Sequence, residues 1–130
     1  MNAANPRDPI SRLSHAKPFE VRATDSLREA ATVLTENRVG LLVVRGSEGI
    51  VGVVSERDIV AFIADEGDCD EGRVGDIMTT ELVIVEPHAT ISAVASTMLD
   101  SDVRHLLVGL GHDVDGIVSV RDLLKVFFDA

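Results

Sequence analysis

The stretch Gly52-Val53-Val54-Ser55-Glu56-Arg57-Asp58 returns 64 positions later as Gly116-Ile117-Val118-Ser119-Val120-Arg121-Asp122. Each copy opens on a glycine and two β-branched residues, which suit the end of a buried strand. Ser-x-x-Asp and an apolar run with helical spacing follow. The order is strand, tight turn, helix N-terminus. A helix start presents unpaired N–H groups and the positive end of the helix dipole, which suits a phosphate or a hydroxyl-rich ligand. A serine N-cap with a carboxylate three residues on is also how a helix start is capped with no ligand involved. The recurrence favours the ligand, because capping does not require glycine, an apolar pair, serine, arginine and aspartate to return together at one spacing.

Outward from the motif, the same offset holds without a gap from Ile10. Ile10 and Leu13 match Val74 and Ile77, Phe19 and Val21 match Val83 and Val85, and Leu27 matches Ile91. Ala31 with Ala95, Val39 with Val103, Leu42 with Leu106 and Val44 with Val108 continue the match. The chain is an internal duplication. In the first copy Phe19 and Val21 alternate with polar neighbours, as in a short strand. Ser26 and Glu29 form a capping box, and Leu27, Ala30, Ala31 and Leu34 keep helical spacing, which predicts a helix over 27–37. The runs 40–45 and 50–54 flank the turn 46–49 and predict a hairpin. Ser55 starts a helix whose inward face is Ile59, Val60, Phe62 and Ile63. The second copy predicts a strand over 82–85, a helix capped by Thr90 that carries Ile91, Val94, Ala95, Met98 and Leu99, and a strand over 104–109. A turn over 111–115, a strand over 116–118 and a helix over 119–128 complete it.

With 130 residues, 45% of them hydrophobic, and only four prolines, the chain has the length and composition of an ordered domain with a sizeable core. Four Phe and no Tyr or Trp leave that core to Val, Leu, Ile and Ala. A net charge of −10 argues against nucleic acid and against an anionic membrane surface. Cys69 stands alone, so there is neither a disulfide framework nor a cysteine-based metal site. Nothing in Met1 to Pro9 resembles a signal peptide, and no apolar run reaches membrane-spanning length, so the expected location is cytoplasmic. The expected organisation is a flexible tail over 1–9, repeat 1 over 10–64, an acidic linker over 65–73 and repeat 2 over 74–130. The linker carboxylates lack the spacing of a calcium loop and read as a solvated connector. Each repeat is marginal alone. The two are therefore expected to pack about a pseudo-twofold axis, with the small-residue helix faces of Ala30, Ala31, Ala93 and Ala95 allowing self-association, most simply as a homodimer.

The doubled pattern of strand, helix, strand, strand, helix, each copy ending in Gly, two apolar residues and Ser-x-x-Asp, resembles the tandem cystathionine-β-synthase (CBS) domain pair, or Bateman module. Ile77-Met78-Thr79, Val85-Glu86-Pro87 and Val103-Arg104-His105-Leu106-Leu107-Val108 support the resemblance, which covers nearly the whole chain. One departure is that Val43 and Leu107 stand where the family often has proline in the middle strand. The implied fold class is α/β (α+β) with two tandem CBS repeats.

The resemblance also implies an adenosine-type ligand in the cleft between repeats: AMP, ADP, ATP or S-adenosylmethionine, acting as a regulatory ligand with no cofactor required. Asp58 and Asp122 would accept from ribose hydroxyls, and Ser55 and Ser119 would lie beside ribose or phosphate. Val21, Val53, Val85 and Ile117 would wall the adenine. The Asp58 site would face Arg104, His105 and Arg121, and the Asp122 site Gly40, Leu41 and Arg57, so a phosphorylated nucleotide is expected to prefer Asp58. Read as ordinary surface residues, Arg57 and Arg121 make helix-surface ion pairs and His105 is a half-buried strand histidine. His15, His88 and His112 share no zinc-ligand spacing with carboxylates. No nucleophile, base and orienting group can be assembled, so no enzyme is expected. The expected function is a stand-alone sensor that signals to an unidentified protein partner through conformation or oligomeric state. The alternative is an interaction or structural module of the same fold without a physiological nucleotide, and a metal-dependent enzyme is the most distant reading.

Overall fold

The computed structural model describes residues 4–13, 17–101, 103, 105–110 and 113–128. A single 3-10 turn, Ile10–Arg12, precedes β1 (Glu20–Arg22), α1 (Leu27–Asn37), β2 (Leu41–Gly46), β3 (Gly49–Ser55) and α2 (Glu56–Ala64). The second half comprises α3 (Val74–Ile77), β4 (Ile84–Val85), α4 (Ile91–Ser101), β5 (His105–Leu110), β6 (Asp113–Ser119) and α5 (Val120–Phe128). Helix α1 forms where its capping box predicts. The Ser26 hydroxyl accepts from the Glu29 amide at 3.1 Å, and the Glu29 carboxylate accepts from the Ser26 amide at 3.3 Å. It ends at Arg38, whose left-handed φ of 54° turns the chain so that the Val39 amide reaches the Leu34 carbonyl at 3.1 Å.

Each half builds a three-stranded sheet, in the orders β1-β2-β3 and β4-β5-β6. In both, the first pair is parallel and the second an antiparallel hairpin. The duplication extends to backbone detail. Leu41 pairs with Ser55 as His105 does with Ser119, and a bulge falls between Val44 and Arg45 in one hairpin and between Val108 and Gly109 in the other. Strand β6 begins at Asp113, three residues before the predicted strand, so the second turn is shorter than expected. Its residues Gly111 and His112 lie outside the described residues.

Of the two compact units one is contiguous in sequence and the other is not. One comprises residues 18–82; the other comprises 1–17 together with 83–130. The core of the first contains Leu27, Ala30, Leu34, Leu42, Val44, Val54, Ile59 and Val74. That of the second contains Ile91, Val94, Met98, Leu106, Val108, Val118, Leu123 and Ile10. Seven of these pairs follow the 64-residue offset in the forward sense; the eighth, Val74 and Ile10, is exchanged. The leading segment of each repeat is buried with the other repeat. Backbone hydrogen bonds fix the exchange. Val74 and Gly75 amides donate to the Asp25 and Ala23 carbonyls, each at 2.9 Å, and the α1 amides of Leu27 and Arg28 donate to Gly72 and Cys69 at 3.1 and 3.0 Å. In the other unit Ile10 and Ser11 donate to Ala89 and Pro87 at 2.7 and 3.2 Å, and the α4 amides of Ile91 and Ser92 donate to Asp8 and Pro6, each at 2.9 Å.

These contacts correct the reading of 65–72 as a solvated connector. Its carboxylates face water, but its carbonyls cap α1, and Cys69 is half-buried against the first core. Gly67 lies flat on Phe62, where a Cβ would come within 2.3 Å of the ring. Arg28 holds the Asp70 carboxylate with both Nε and Nη2, the latter at 3.2 Å. That hydrogen bond keeps the Asp70 carboxyl below its usual range and raises the guanidinium pKa of Arg28. The inward face predicted for α2 is also narrower than expected. Ile59 is buried and Phe62 half-buried, but Val60 and Ile63 are more than half exposed, because a helix over a three-stranded sheet buries one stripe. Phe19 lies just outside β1 and is exposed, leaving Val21 as the buried residue of that strand.

The exchange predicts that Ile10→Ala costs about 2–5 kcal/mol. Amide exchange should quicken in α4 and β5, and stay slow in α1 and β2 of the repeat to which Ile10 belongs by sequence. For Asp70, a depressed carboxyl pKa contributes stability above the ordinary carboxylate range, which is lost as pH falls through the folded value. The small difference in urea stability between the wild type and Asp70→Asn should thus be present at neutral pH and vanish in acid.

Candidate functional site

Both copies of the opening motif form capped helix starts. Ser55 is extended (φ −110°, ψ 163°), so β3 runs straight into the N-cap of α2. Its amide donates to Asp58 Oδ2 at 2.8 Å, and its hydroxyl accepts from the Asp58 amide at 3.1 Å. The next amide, of Glu56, is taken by the Gly40 carbonyl at 3.0 Å, which ties the start of α2 to the residue before β2. At α5 the Ser119 amide donates to Asp122 Oδ2 at 3.0 Å, and the Asp122 amide donates to the Ser119 hydroxyl at 3.2 Å. Neither Ser-Asp pair is left without a structural role.

The two starts differ in what remains for a ligand. In the second copy the Ser119 hydroxyl also donates to Asp122 Oδ2 at 3.0 Å, which uses its proton within the pair. Among the described residues the Ser55 hydroxyl proton and Asp58 Oδ1 have no hydrogen-bonding partner, and both residues are half-buried. A carboxylate oxygen accepts from neighbouring hydroxyls, and a serine hydroxyl both donates and accepts. With Glu56 and Asp58 in its first turn, this helix start suits hydroxyl groups better than a phosphate.

The motif glycine has a packing reason. The Val53 amide donates to the Thr79 carbonyl at 2.9 Å, and the Thr79 amide donates back to Val53 at 2.8 Å. The chain following α3 thereby runs against β3. A Cβ on Gly52 would lie 2.7 Å from the Thr79 carbonyl oxygen and 3.0 Å from the Met78 sulfur. Met78 and Thr79 thus flank the Ser55 end of β3, a placement that the residue pattern does not indicate. Their signal is the Ile77-Met78-Thr79 run, but nothing local in it points 26 positions back to Val53. The positions at the same offset from Met78 and Thr79 are 14 and 15, which lie outside the described residues.

Each remaining candidate has a definite place. Arg57 and Arg121 are exposed on the first turns of α2 and α5, and Val53, Val85 and Ile117 are half-buried on their strands. Val21 is buried in the first core with Leu27 and Leu42, so its side chain is not open to a ligand. His105 is half-buried and opposite Ser119 in the β5–β6 register, which brings it to the second motif. Arg104, His15 and His112 lie outside the described residues. Ser55, Asp58, Val53 and Arg57 belong to one unit, and Ser119, Asp122, His105, Ile117, Arg121 and Val85 to the other. Among the described residues no cluster of His, Cys, Asp and Glu could hold a metal ion, and no helix is long and apolar enough to cross a membrane.

The CBS domain family model matches residues 10–65 and again 74–129. An uncharacterized 17.7 kDa protein of Acidianus ambivalens is 32% identical over 122 residues, spanning 92% of this chain and 73% of its own length. The crystal structure of an uncharacterized conserved protein from Pyrococcus horikoshii superposes with a TM-score of 0.86 at 26% identity, covering 97% of this chain and 96% of that one. A CBS domain protein from Pyrobaculum aerophilum, solved in complex with AMP, is 32% identical with a TM-score of 0.78, covering 92% of this chain and 98% of its own. Two family matches on two sheets of identical order and register, each leading into a Ser-x-x-Asp helix start, place this chain in the CBS domain family as a tandem pair of repeats.

Proposed function

We propose that this chain is a regulatory CBS pair that binds an adenosine-type nucleotide, with AMP the first candidate, and that the ribose is held at the Ser55–Asp58 start of α2. The observation that carries the reading is the half-used pair at that helix: the cap uses Oδ2 of Asp58 and the Ser55 oxygen as acceptors, and Asp58 Oδ1 and the Ser55 hydroxyl proton remain for the two ribose hydroxyls. The AMP complex of a relative with 32% identity supports the ligand class. The Ser119–Asp122 pair, which uses the serine proton internally, makes the second copy the weaker site. Val53 and the Met78–Thr79 backbone beside it supply an apolar and hydrogen-bonding wall for a base. Ligand occupancy is signalled to a partner protein through conformation or assembly. We read the chain as a regulator, not as an enzyme.

Assembly has its own surface. Helices α4 and α5 line a groove of about 540 Å³ with Leu99, Val120, Leu124, Phe127 and Phe128 exposed. A patch of this kind marks an interaction site, and we assign it to a second copy of the chain. A second reading, an interaction module in which serine and aspartate only cap, is favoured by one observation: in both copies the serine and aspartate complete a reciprocal cap with each other.

Thermal denaturation against AMP, ADP, ATP, NAD and S-adenosylmethionine separates the readings. A binding nucleotide at a hundred times its dissociation constant should add about 2.7 kcal/mol. Asp58→Ala should lower the stability of the free protein by about 0.5–2 kcal/mol through the lost cap and abolish the nucleotide increment. Asp58→Asn keeps an acceptor for the Ser55 amide and should lose mainly the increment. No increment with any nucleotide in the wild type establishes the interaction module. Light scattering tests assembly: Leu124→Lys should convert a dimer to monomer, and a wild-type monomer refutes the assignment of the groove.

A further inference from the structure

The opposite end of the first hairpin holds a feature that the nucleotide reading does not use. Strand register puts Leu41 beside Ser55 at one end and Gly46 beside Gly49 at the other. Arg45 therefore stands four positions along the strand from Leu41, or roughly 13 Å. At that far end Arg22, Ala23, Thr24, Arg45, Gly46 and Ser47 enclose a pocket of about 460 Å³, wholly within the unit 18–82.

Arg22 and Arg45 are direct partners on neighbouring parallel strands, so two exposed guanidinium groups project from one face of the sheet at strand spacing. Like charges placed side by side are unfavourable unless something neutralises them. Arg45 is paired with Glu20. Arg22 makes no ion pair among the described residues. The nearest carboxylate on the adjoining turn, Asp25, is turned to the backbone, where it accepts from the Arg22 amide at 2.8 Å. Arg22 is thus a guanidinium without an ion-pair partner among the described residues, beside the Glu20–Arg45 pair and in a pocket that also holds the Thr24 and Ser47 hydroxyls.

The duplication provides an internal control. At the 64-residue offset, Arg22 becomes Glu86, Thr24 becomes His88, Arg45 becomes Gly109 and Ser47 becomes Gly111. The second hairpin has the same register and the same bulge without this chemistry, so the fold does not require the arginine pair. The turn that forms one wall is also held in place. The Ala23 amide donates to the Arg45 carbonyl at 3.3 Å, and Gly75 and Val74 donate to Ala23 and Asp25, each at 2.9 Å. Forked guanidinium donors flanked by hydroxyls match the several acceptor oxygens of a phosphate group better than a single carboxylate.

We propose that the pocket formed by Arg22, Thr24, Arg45 and Ser47 binds a phosphate group, as a second ligand site at the end of the hairpin remote from Ser55 and Asp58. It is open to a free phosphate ion and roomy enough for a small phosphate monoester.

The test is an amide-resolved NMR titration of the full chain with inorganic phosphate and, separately, glycerol phosphate, each against sodium chloride at matched ionic strength. Saturable shifts should centre on Thr24, Gly46 and Ser47, and the tighter of the two probes identifies the source of the phosphate. Arg22→Gln, which leaves the Glu20–Arg45 pair untouched, should weaken binding at least tenfold while the melting temperature of the free protein stays unchanged. Arg45→Gln should weaken it comparably. Shifts reproduced by chloride, shifts that centre on residues 55–58, or affinity unaltered by Arg22→Gln overturn the proposal. Because the readout is resolved by residue, these outcomes are independent of whether a nucleotide binds at Asp58.

Discussion

The backbone amides that open α1 and α4 carry the architecture. A helix start leaves amides that its own turns cannot satisfy. Side-chain caps from Ser26 and Thr90 take one each, on Glu29 and Ala93. The amides of Leu27, Arg28, Ile91 and Ser92 go instead to carbonyls of the segment leading the other repeat. Each such bond is worth about 1 kcal/mol net, and leaving a buried amide unmade costs more. Val74 and Ile10, both fully buried, add about 1.5–3 kcal/mol each through the apolar side chain that follows the clamp. The sheet, the hairpin bulge and the Ser-x-x-Asp helix start are all built on units that this exchange closes.

The candidate site depends on the same clamp. Docking of α3 brings Thr79 alongside Val53 and demands glycine at position 52, so the wall of the Ser55 site is supplied by residues that follow the linker. The linker is therefore part of the site's support, through Cys69 and Gly72 on α1 and Gly67 on Phe62. The difference between the two motif copies is small in sequence and chemical in effect. One serine spends its proton on its own aspartate, and the other keeps it.

Much of this architecture is legible in the amino-acid sequence. Helix α1 follows from a capping box and the spacing of Leu27, Ala30 and Leu34, and the 64-residue offset carries the hairpins and both motifs into the right elements. The exchange of leading segments is not legible, for a physical reason. Ile10 and Val74 are both β-branched, and each precedes a similar helix start, so either pairing satisfies the same hydrophobic pattern. The docking of 65–72 is hidden because it acts through carbonyls, and residue types report side chains. The exposure of Val60 and Ile63 depends on the width of the sheet beneath them, which periodicity along one helix does not encode. Val21 suits a ligand wall on pattern alone, because strand alternation shows that one side of β1 is apolar but not that this side is occupied by the core.

The unit of duplication and the unit of folding are thus out of phase. The family pattern runs 10–65 and 74–129, whereas the chain closes a compact unit over 18–82. In the language of topology, the unit 18–82 is a circular permutation of the repeat, with its leading segment supplied at the far end, and the other unit keeps the order of the repeat but draws that segment from 65 residues upstream. A chain divided at the period of the sequence would separate α1 from the carbonyls that cap it and Ile10 from the core it completes. The covalent joints that can be lengthened or cut without opening either core are those at 17–18 and 82–83, inside the repeats and away from their formal boundary.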